Sequence, residues 1–198
     1  MPDLLSLNET KLDSLVSSSF YTNVNYDLIR LDRNNRGGGT AIFLRKSYKY
    51  IIEPSNEQIE AVHLKIKNKL NKSNQFSIIV AYKPPIQNNS IFLNTLETII
   101  QQIDPELPIF ITGDFNMDLN SNKGKDLLDF MYINHFKNYI KDFTRISTKW
   151  CPYKNEYITS KTLIDVLLHN KDLISNTDSI ECPFSDHNFI LSSLQIEN

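Results

Sequence analysis

Four short, nearly continuous apolar runs constrain this chain most: Phe76 to Tyr82, Pro108 to Thr112, Thr162 to Leu168 and Phe189 to Ile196. Apolar runs of this length, bounded by polar or proline-containing segments, read as strands buried on both faces. Another run has a different signature. Val62, Leu64 and Ile66 alternate with His63, Lys65 and Lys67, the period of a half-exposed strand. Thr40 to Arg45 is a further β-prone run behind three glycines, and Asn68 to Asn74 reads as a polar hairpin turn.

Helical spacing appears twice. From Ser90, taken as the N-cap, Phe92, Leu96, Ile99, Ile100 and Ile103 recur on one face until Asp104-Pro105 stops the run. A second helix is expected from about Lys125 to Asn134 with Leu127, Leu128 and Met131 inward, and a shorter one after Glu9 using Leu12 and Leu15. The order of elements implies an α/β fold, with two packed, mostly antiparallel sheets flanked by helices in a four-layer sandwich. At 198 residues the whole chain, 1–198, reads as a single domain.

With 40% hydrophobic and 22% charged residues, no membrane-length apolar run and no signal-peptide pattern at Met1-Pro2-Asp3-Leu4, the expectation is a nuclear or cytoplasmic protein that is not secreted. Cys151 and Cys182 lack metal-site spacing and read as reduced, partly buried thiols. A net charge of −2 gives no global attraction for nucleic acid, so any contact with phosphates would need a local basic patch.

Chemistry gathers at strand ends. The run from Pro108 enters Gly113-Asp114-Phe115-Asn116, where Asp114 and Asn116 are two apart and face the same way if the backbone is extended. An acid beside an amide can orient a water or ligate a hard cation, but Gly, Asp and Asn also form turns, and this segment alone fits either reading. Ser185-Asp186-His187 lies in a loop entering the last apolar run, and Asp165 sits inside the preceding one. A buried acid needs a partner, and His187 is a suitable one for Asp165, giving a dyad that orients the imidazole. Glu9 follows the apolar Leu4 to Leu7 and reads either as a helix-start acid or as an oxygen ligand for Mg²⁺ or Mn²⁺. Tyr82 ends its strand before Lys83-Pro84-Pro85, with its hydroxyl either near a phosphate or capping the core.

Taken in order, Leu7-Asn8-Glu9-Thr10, Ala81-Tyr82-Lys83-Pro84-Pro85, Gly113-Asp114-Phe115-Asn116, Leu163-Ile164-Asp165 and Ser185-Asp186-His187 resemble the motif set of the endonuclease/exonuclease/phosphatase superfamily. Leu31-Asp32-Arg33-Asn34-Asn35-Arg36-Gly37-Gly38-Gly39-Thr40-Ala41-Ile42, Tyr82-Lys83-Pro84-Pro85 and Phe143-Thr144-Arg145 further resemble the endonuclease domain of LINE-type, jockey-like non-LTR retrotransposons. The resemblance implies a deoxyribonuclease I-like fold and Mg²⁺-dependent hydrolysis of a DNA phosphodiester (Mn²⁺ being a possible substitute), with a nick that leaves a 3′-hydroxyl. It implies that Glu9 holds the metal, that Asp186 assists metal or histidine, and that Asp114 positions or deprotonates water beside Asn116. It further implies that His187, held by Asp165, and Tyr82 act on the pentavalent phosphorane. Arg33, Arg36, Thr144 and Arg145 are the implied DNA contacts, and a reverse transcriptase domain in a longer polyprotein the implied partner. In the family an Asn-bearing strand precedes the Glu9 strand, so relative to it the domain is expected to be shortened at its N-terminus. A nucleic-acid-binding remnant without activity, and a phosphatase acting on a lipid or inositol phosphate, are the alternative readings.

Other features read more simply. Gly37-Gly38-Gly39 lacks phosphate-loop spacing and is expected to be a flexible loop entering a strand. Lys65, Lys67, Lys69 and Lys72 with Arg45, Lys46 and Lys49 read as solvated edge charges or as a DNA-facing strip. His63, His135 and His169 are expected at surface or half-buried positions, and Trp150 as a packing residue.

Overall fold

Strands that are apolar on both faces must be covered on both faces, and the computed structural model, which describes residues 1–21, 23–54, 56–68 and 75–194, places the runs accordingly. A three-stranded sheet is ordered β1 (Leu4–Asn8), β3 (Thr40–Arg45), β2 (Tyr26–Leu31), all antiparallel. A six-stranded sheet is ordered β4 (Tyr48–Ile52), β5 (Glu60–Asn68), β6 (Gln75–Tyr82), β7 (Ile109–Asp114), β11 (Asp165–His169), β8 (Lys137–Asn138). Two ribbons complete the strands. These are β9 (Arg145–Cys151) with β10 (Glu156–Thr162), and β12 (Ile174–Ile180) with β13 (Phe189–Leu194). The β6–β7 pair is parallel, so its connection needs a crossover, which contains helix α1 (Asn89–Ile100).

Alternation along the inner strands divides their side chains between two cores. Ile79, Ala81, Ile111 and Val166 pack with Phe92 and Leu96 of α1 and Leu127 of α2 (Lys125–Ile133). On the other face Ile78, Val80 and Phe110 meet Val62, Leu64 and Ile66 of β5 and Ile42 and Leu44 of β3. Complete burial of each large apolar side chain contributes about 1.5–3 kcal/mol. The two-sheet, helix-flanked architecture expected from the sequence is therefore present, and its core lies between the sheets and beneath the helices.

Several local expectations are corrected. The N-cap of α1 is Asn88, whose side chain accepts from the Ser90 and Ile91 amides at 2.8 and 3.2 Å; Ser90 is inside the helix. In α2 the inward residues are Leu127 and Phe130, with Leu128 exposed. Between Glu9 and β2 no α-helix is present among the described residues. Asp13 caps a turn at Leu15, which is 89% exposed, and a single 3₁₀ turn occupies Ser18–Tyr21. Thr162 closes β10, and β11 begins only at Asp165. The hairpin turn expected over residues 68–74 lies almost wholly outside the described residues, as do Lys69, Lys72 and Ile196.

The largest difference concerns the last strand. β13 is mostly exposed, with Phe189 at 44% and Leu191 at 48%, because among the described residues it pairs with β12 alone and borders a groove on its other side. Conversely, His63 and His169 are buried. His169 stacks on Phe110 at 4.0 Å and its Nδ1 meets the Ile109 carbonyl at 2.8 Å; burial lowers both imidazole pKa values. His135 is exposed and adopts φ 58°. Trp150 is half-exposed, packed edge-on against Tyr157 at 5.1 Å. Cys151 and Cys182 are free thiols of intermediate exposure. No helix is long and apolar enough to cross a membrane.

Candidate active site

Glycine, acid, aromatic and amide each have a separate task at the end of β7. Gly113 takes φ 146°, and a Cβ there would lie 1.8 Å from the Ala81 carbonyl oxygen, so no other residue fits so close to β6. Phe115 points away from the site and is fully buried, edge-on to Phe92 at 4.9 Å. Its amide donates to the Ile164 carbonyl at 2.9 Å, and the Lys83 amide donates to the Asp114 carbonyl at 2.9 Å. The peptide that carries Asp114 is thus fixed from three sides.

Asn116 is held at φ 50°, a conformation that costs on the order of 1 kcal/mol outside glycine. In return it brackets the neighbouring carboxylate. Its backbone amide donates to Asp114 Oδ1 at 2.9 Å, and its side-chain amide donates to Asp114 Oδ2 at 3.1 Å and to the Lys83 carbonyl at 3.0 Å. This is a tighter arrangement than the same-side placement expected from extended backbone.

Asp165 lies directly opposite Asp114 in the β7–β11 register, so two carboxylates face each other across one strand pair. His187 reaches Asp165 through Nδ1, at 2.9 Å from Oδ2 and 3.1 Å from Oδ1. One ligand atom from each of Asp114, Asp165 and His187 lies within 4.8 Å of the others. Burial raises the Asp114 pKa, the nearby Asp165 charge adds to it, and the carboxyl sits at about 7 despite the Asn116 hydrogen bond. For His187 burial works to lower the pKa. The hydrogen bond and charge of Asp165, with Asp114 and Asp186, outweigh it and leave the pKa raised.

Glu9 stands just past the end of β1 at φ 54°, and Tyr82 donates its hydroxyl to Glu9 Oε1. Burial and this bond both raise the Tyr82 pKa, so the phenol keeps its proton. Arg145 Nε donates to Asp186 Oδ2 at 2.8 Å, and Arg145 also forms a β-bridge with His187. Burial works to raise the Asp186 carboxyl, but Arg145 outweighs it and the net shift is downward. Thr144, expected against DNA, is corrected. It is wholly buried, and its hydroxyl accepts the Ile164 and Asp165 amides at 3.2 and 3.0 Å, leaving no surface for a duplex. The glycine loop is corrected too. Gly37 to Gly39 are buried and bonded to Arg33 and Glu60, and Arg33 Nε donates to the Gly37 carbonyl at 2.8 Å. Arg36 is exposed.

Glu9, Asp114, Asn116, Asp165 and His187 all line one groove of about 1300 Å³, which continues between β1 and β13 over Phe110 and Leu167. Tyr82 reaches the same place through Glu9. Arg33 and Arg36 are not in this lining, whereas Arg145 is. Sequence reasoning missed Lys83, which is 2% exposed with its pKa lowered by burial, and Asn8, whose amide donates to the Ala81 carbonyl at 3.4 Å and whose oxygen accepts from Thr40 at 3.3 Å. Their neighbours Tyr82 and Glu9 were the only signal.

The donor set suits a hard divalent cation. Carboxylate oxygens dominate the Asp114, Asp165 and His187 group, and the Asp114 pKa, raised first by burial and then by the Asp165 charge, marks a buried carboxyl whose ionised form a cation would favour.

The family described as Endonuclease-reverse transcriptase matches residues 76–191 of this chain. That span includes Tyr82, Asp114, Asn116, Asp165, Asp186 and His187. A comparison with curated protein sequences gives no match. Among solved structures, the endonuclease domain of TRAS1, a telomere-specific non-LTR retrotransposon, is similar with a TM-score of 0.71 at 13% identity, covering 90% of this chain and 84% of that one. An endonuclease/exonuclease/phosphatase from Bacteroides vulgatus gives 0.69 at 19% identity over 98% and 85%. A mannosyl-6-phosphatase from Bacteroides thetaiotaomicron gives 0.65 at 16% over 97% and 85%. At these identities what is shared is the fold.

Proposed function

This chain belongs to the Endonuclease-reverse transcriptase family, within the endonuclease/exonuclease/phosphatase superfamily, and from that premise we propose that it hydrolyses a DNA phosphodiester with the help of Mg²⁺ or Mn²⁺. The observation that carries the reading is the convergence of Asp114, Asp165 and His187 within 4.8 Å on one groove.

Glu9 and the neighbouring carboxylates would hold the cation, which supplies neutralisation of charge that builds on the phosphate oxygens. Asp114, its two oxygens fixed by Asn116, takes the proton of the attacking water. A carboxyl at about 7 is close to the operating pH, where a general base is most effective. Asp165 holds His187 through Nδ1, so the other ring nitrogen donates to a phosphate oxygen. Tyr82 stays protonated and positions Glu9 by hydrogen bonding. Water adds at phosphorus and gives its proton to Asp114, the bond to the 3′ oxygen breaks, the phosphate stays on the 5′ side, and the leaving oxygen takes a proton from solvent to become a 3′-hydroxyl. Arg145, between the β9–β10 ribbon and Asp186, is a cation in the groove lining that can meet the DNA backbone, as can the exposed Lys11. A reverse transcriptase domain that extends the 3′-hydroxyl completes the proposal, supported by the TRAS1 likeness and the family description, and a nuclear or cytoplasmic setting is proposed with it.

Incubation with supercoiled plasmid tests it. Open circles should appear in Mg²⁺, vanish with chelator, and form far more slowly in Asp114→Ala and His187→Ala. Salt-dependent DNA binding without cleavage, unaltered by Asp114→Ala, would instead make the chain a binding module. Turnover of a lipid or inositol phosphate without nicking would move the substrate class.

A further inference from the structure

Glu9 has an unusual problem of support. It lies beyond the end of β1, on a strand whose Leu5 and Leu7 are partly exposed, and its backbone is in the left-handed region at φ 54°. Lys11 shares that conformation, also at φ 54°. Two left-handed residues flanking Thr10 persist only when surrounding contacts determine them.

Those contacts come from the glycine turn. The Thr10 amide donates to the Gly39 carbonyl at 3.2 Å, and the Lys11 amide to the Gly38 carbonyl at 2.9 Å. The turn is itself fastened by Glu60. Glu60 Oε2 accepts the Gly39 amide at 2.7 Å, while Oε1 accepts Arg33 Nη1 at 2.6 Å. Arg33 then closes the loop through the Gly37 carbonyl. Both carboxylate oxygens of Glu60 are therefore occupied, and the residue has a cationic partner. It is not arranged as a metal ligand.

Geometry adds a second connection. Glu60 opens β5 and lies directly opposite Tyr82 in the β5–β6 register, and Tyr82 is the residue that bonds Glu9. The Arg33 guanidinium stands 6.0 Å from the centre of the Tyr82 ring. The fit is close: a Cβ at Gly38 would meet Glu60 Oε2 at 2.5 Å and Arg33 Cζ at 2.4 Å, and one at Gly39 would meet Thr10 Oγ1 at 2.5 Å. The Gly37 to Gly39 segment thus works as a clamp between the large sheet and the chain just beyond Glu9.

We propose that Glu60 is a positioning residue for Glu9: by pinning Gly39 and Arg33 it fixes the turn beyond β1, and so fixes where the Glu9 carboxylate stands relative to Asp114. This rests on the reading of Glu9 as a cation-holding residue. Exposed ion pairs contribute little, but this carboxylate is mostly covered and also holds a backbone amide, so its loss leaves a buried donor unpaired.

The test is Mn²⁺ titration of the full chain without DNA, followed by electron paramagnetic resonance of the free ion, alongside thermal melting. Glu9→Gln should weaken Mn²⁺ binding at least tenfold. Glu60→Ala should weaken it about three- to tenfold while the chain remains folded at the titration temperature. Glu60→Gln, which keeps an acceptor for the Gly39 amide, should recover part of the loss. In nicking assays the Glu60 variants should raise the half-saturating Mg²⁺ concentration more than they lower the rate at saturation. If Glu9→Gln weakens binding and folded Glu60→Ala matches the wild type within twofold, the positioning role is wrong. If Glu9→Gln leaves binding unchanged, the functional reading of Glu9 fails instead. Should Glu60→Ala not fold, Glu60→Gln decides: unchanged Mn²⁺ affinity and unchanged Mg²⁺ dependence overturn the proposal.

Discussion

The candidate site has two walls that are built very differently. One comes from the large sheet, where Asp114, Asn116 and Tyr82 sit at the ends of β6 and β7 above a fully buried Phe115. The other comes from the periphery, where Glu9 follows β1 and Asp186 and His187 precede the exposed β13. On the first wall position follows from core packing. On the second it follows from a few polar bonds: Tyr82 to Glu9, Asp165 to His187, and Arg145 to Asp186. Every peripheral member but Asp186 is thus tied by a side-chain bond to the large sheet, which suggests that one wall serves as the reference for the other.

The sharpest way to break this contrast is through chemistry. Asp114→Ala on the rigid wall and His187→Ala on the other should each lower plasmid nicking by roughly 10²–10⁴-fold, measured as initial rates in saturating Mg²⁺. A large loss at one and none at the other would dissolve the shared centre. Stability should separate the walls in the opposite sense. Phe115→Ala should cost about 3–5 kcal/mol in urea unfolding, whereas Phe189→Ala on β13 should cost less than about 1 kcal/mol. Equal costs would mean that β13 is supported better than its exposure indicates.

A titration sharpens the comparison further. The Asp114 carboxyl is raised from 3.8 to about 7, so the folded protein holds a proton there that the unfolded chain has released. For metal-free protein, its contribution to stability should be full below about pH 4 and should decline as pH rises to about 7, by roughly 2–4 kcal/mol. Asp114→Asn should flatten that decline, and added Mg²⁺ should offset it. The raised His187 acts in the same direction at higher pH, its stabilisation being full below about 6.5 and lost above its own folded pKa. The smallest effect belongs to Arg145→Gln. Its exposed ion pair with Asp186 should contribute at most about 1 kcal/mol to stability, with the larger change in the salt dependence of DNA binding.

The two walls also differ in how far they could be read from the sequence. Continuous apolar runs mark buried strands, so β6, β7 and most of β11 were legible together with the acids at their ends. The Asp165–His187 pair followed from the need of a buried acid for a partner, and it is present at 2.9 Å. Elements that bury little were not legible. β9 and β10 are largely exposed and carry no strong alternation, so the ribbon that bears Arg145 gave no signal. The run from Phe189 to Ile196 gave a misleading one, because Phe189, Leu191 and Leu194 are exposed beside a groove while Ile190 packs against a small buried cluster. Thr144 was noticed as a surface contact, yet its role is internal, accepting two backbone amides beside Asp165. Glu60 joins Arg33 from 27 positions away, a pairing that no local pattern encodes.

The central claim is that the two walls act as one hydrolytic centre, and a double-mutant cycle on Asp114→Asn and His187→Ala tests it most directly. With nicking rates measured in saturating Mg²⁺, the double variant should be about as slow as the slower single variant, as expected of groups that act as a unit. If the two losses multiply, or if folded wild-type protein leaves the plasmid intact, the account is contradicted.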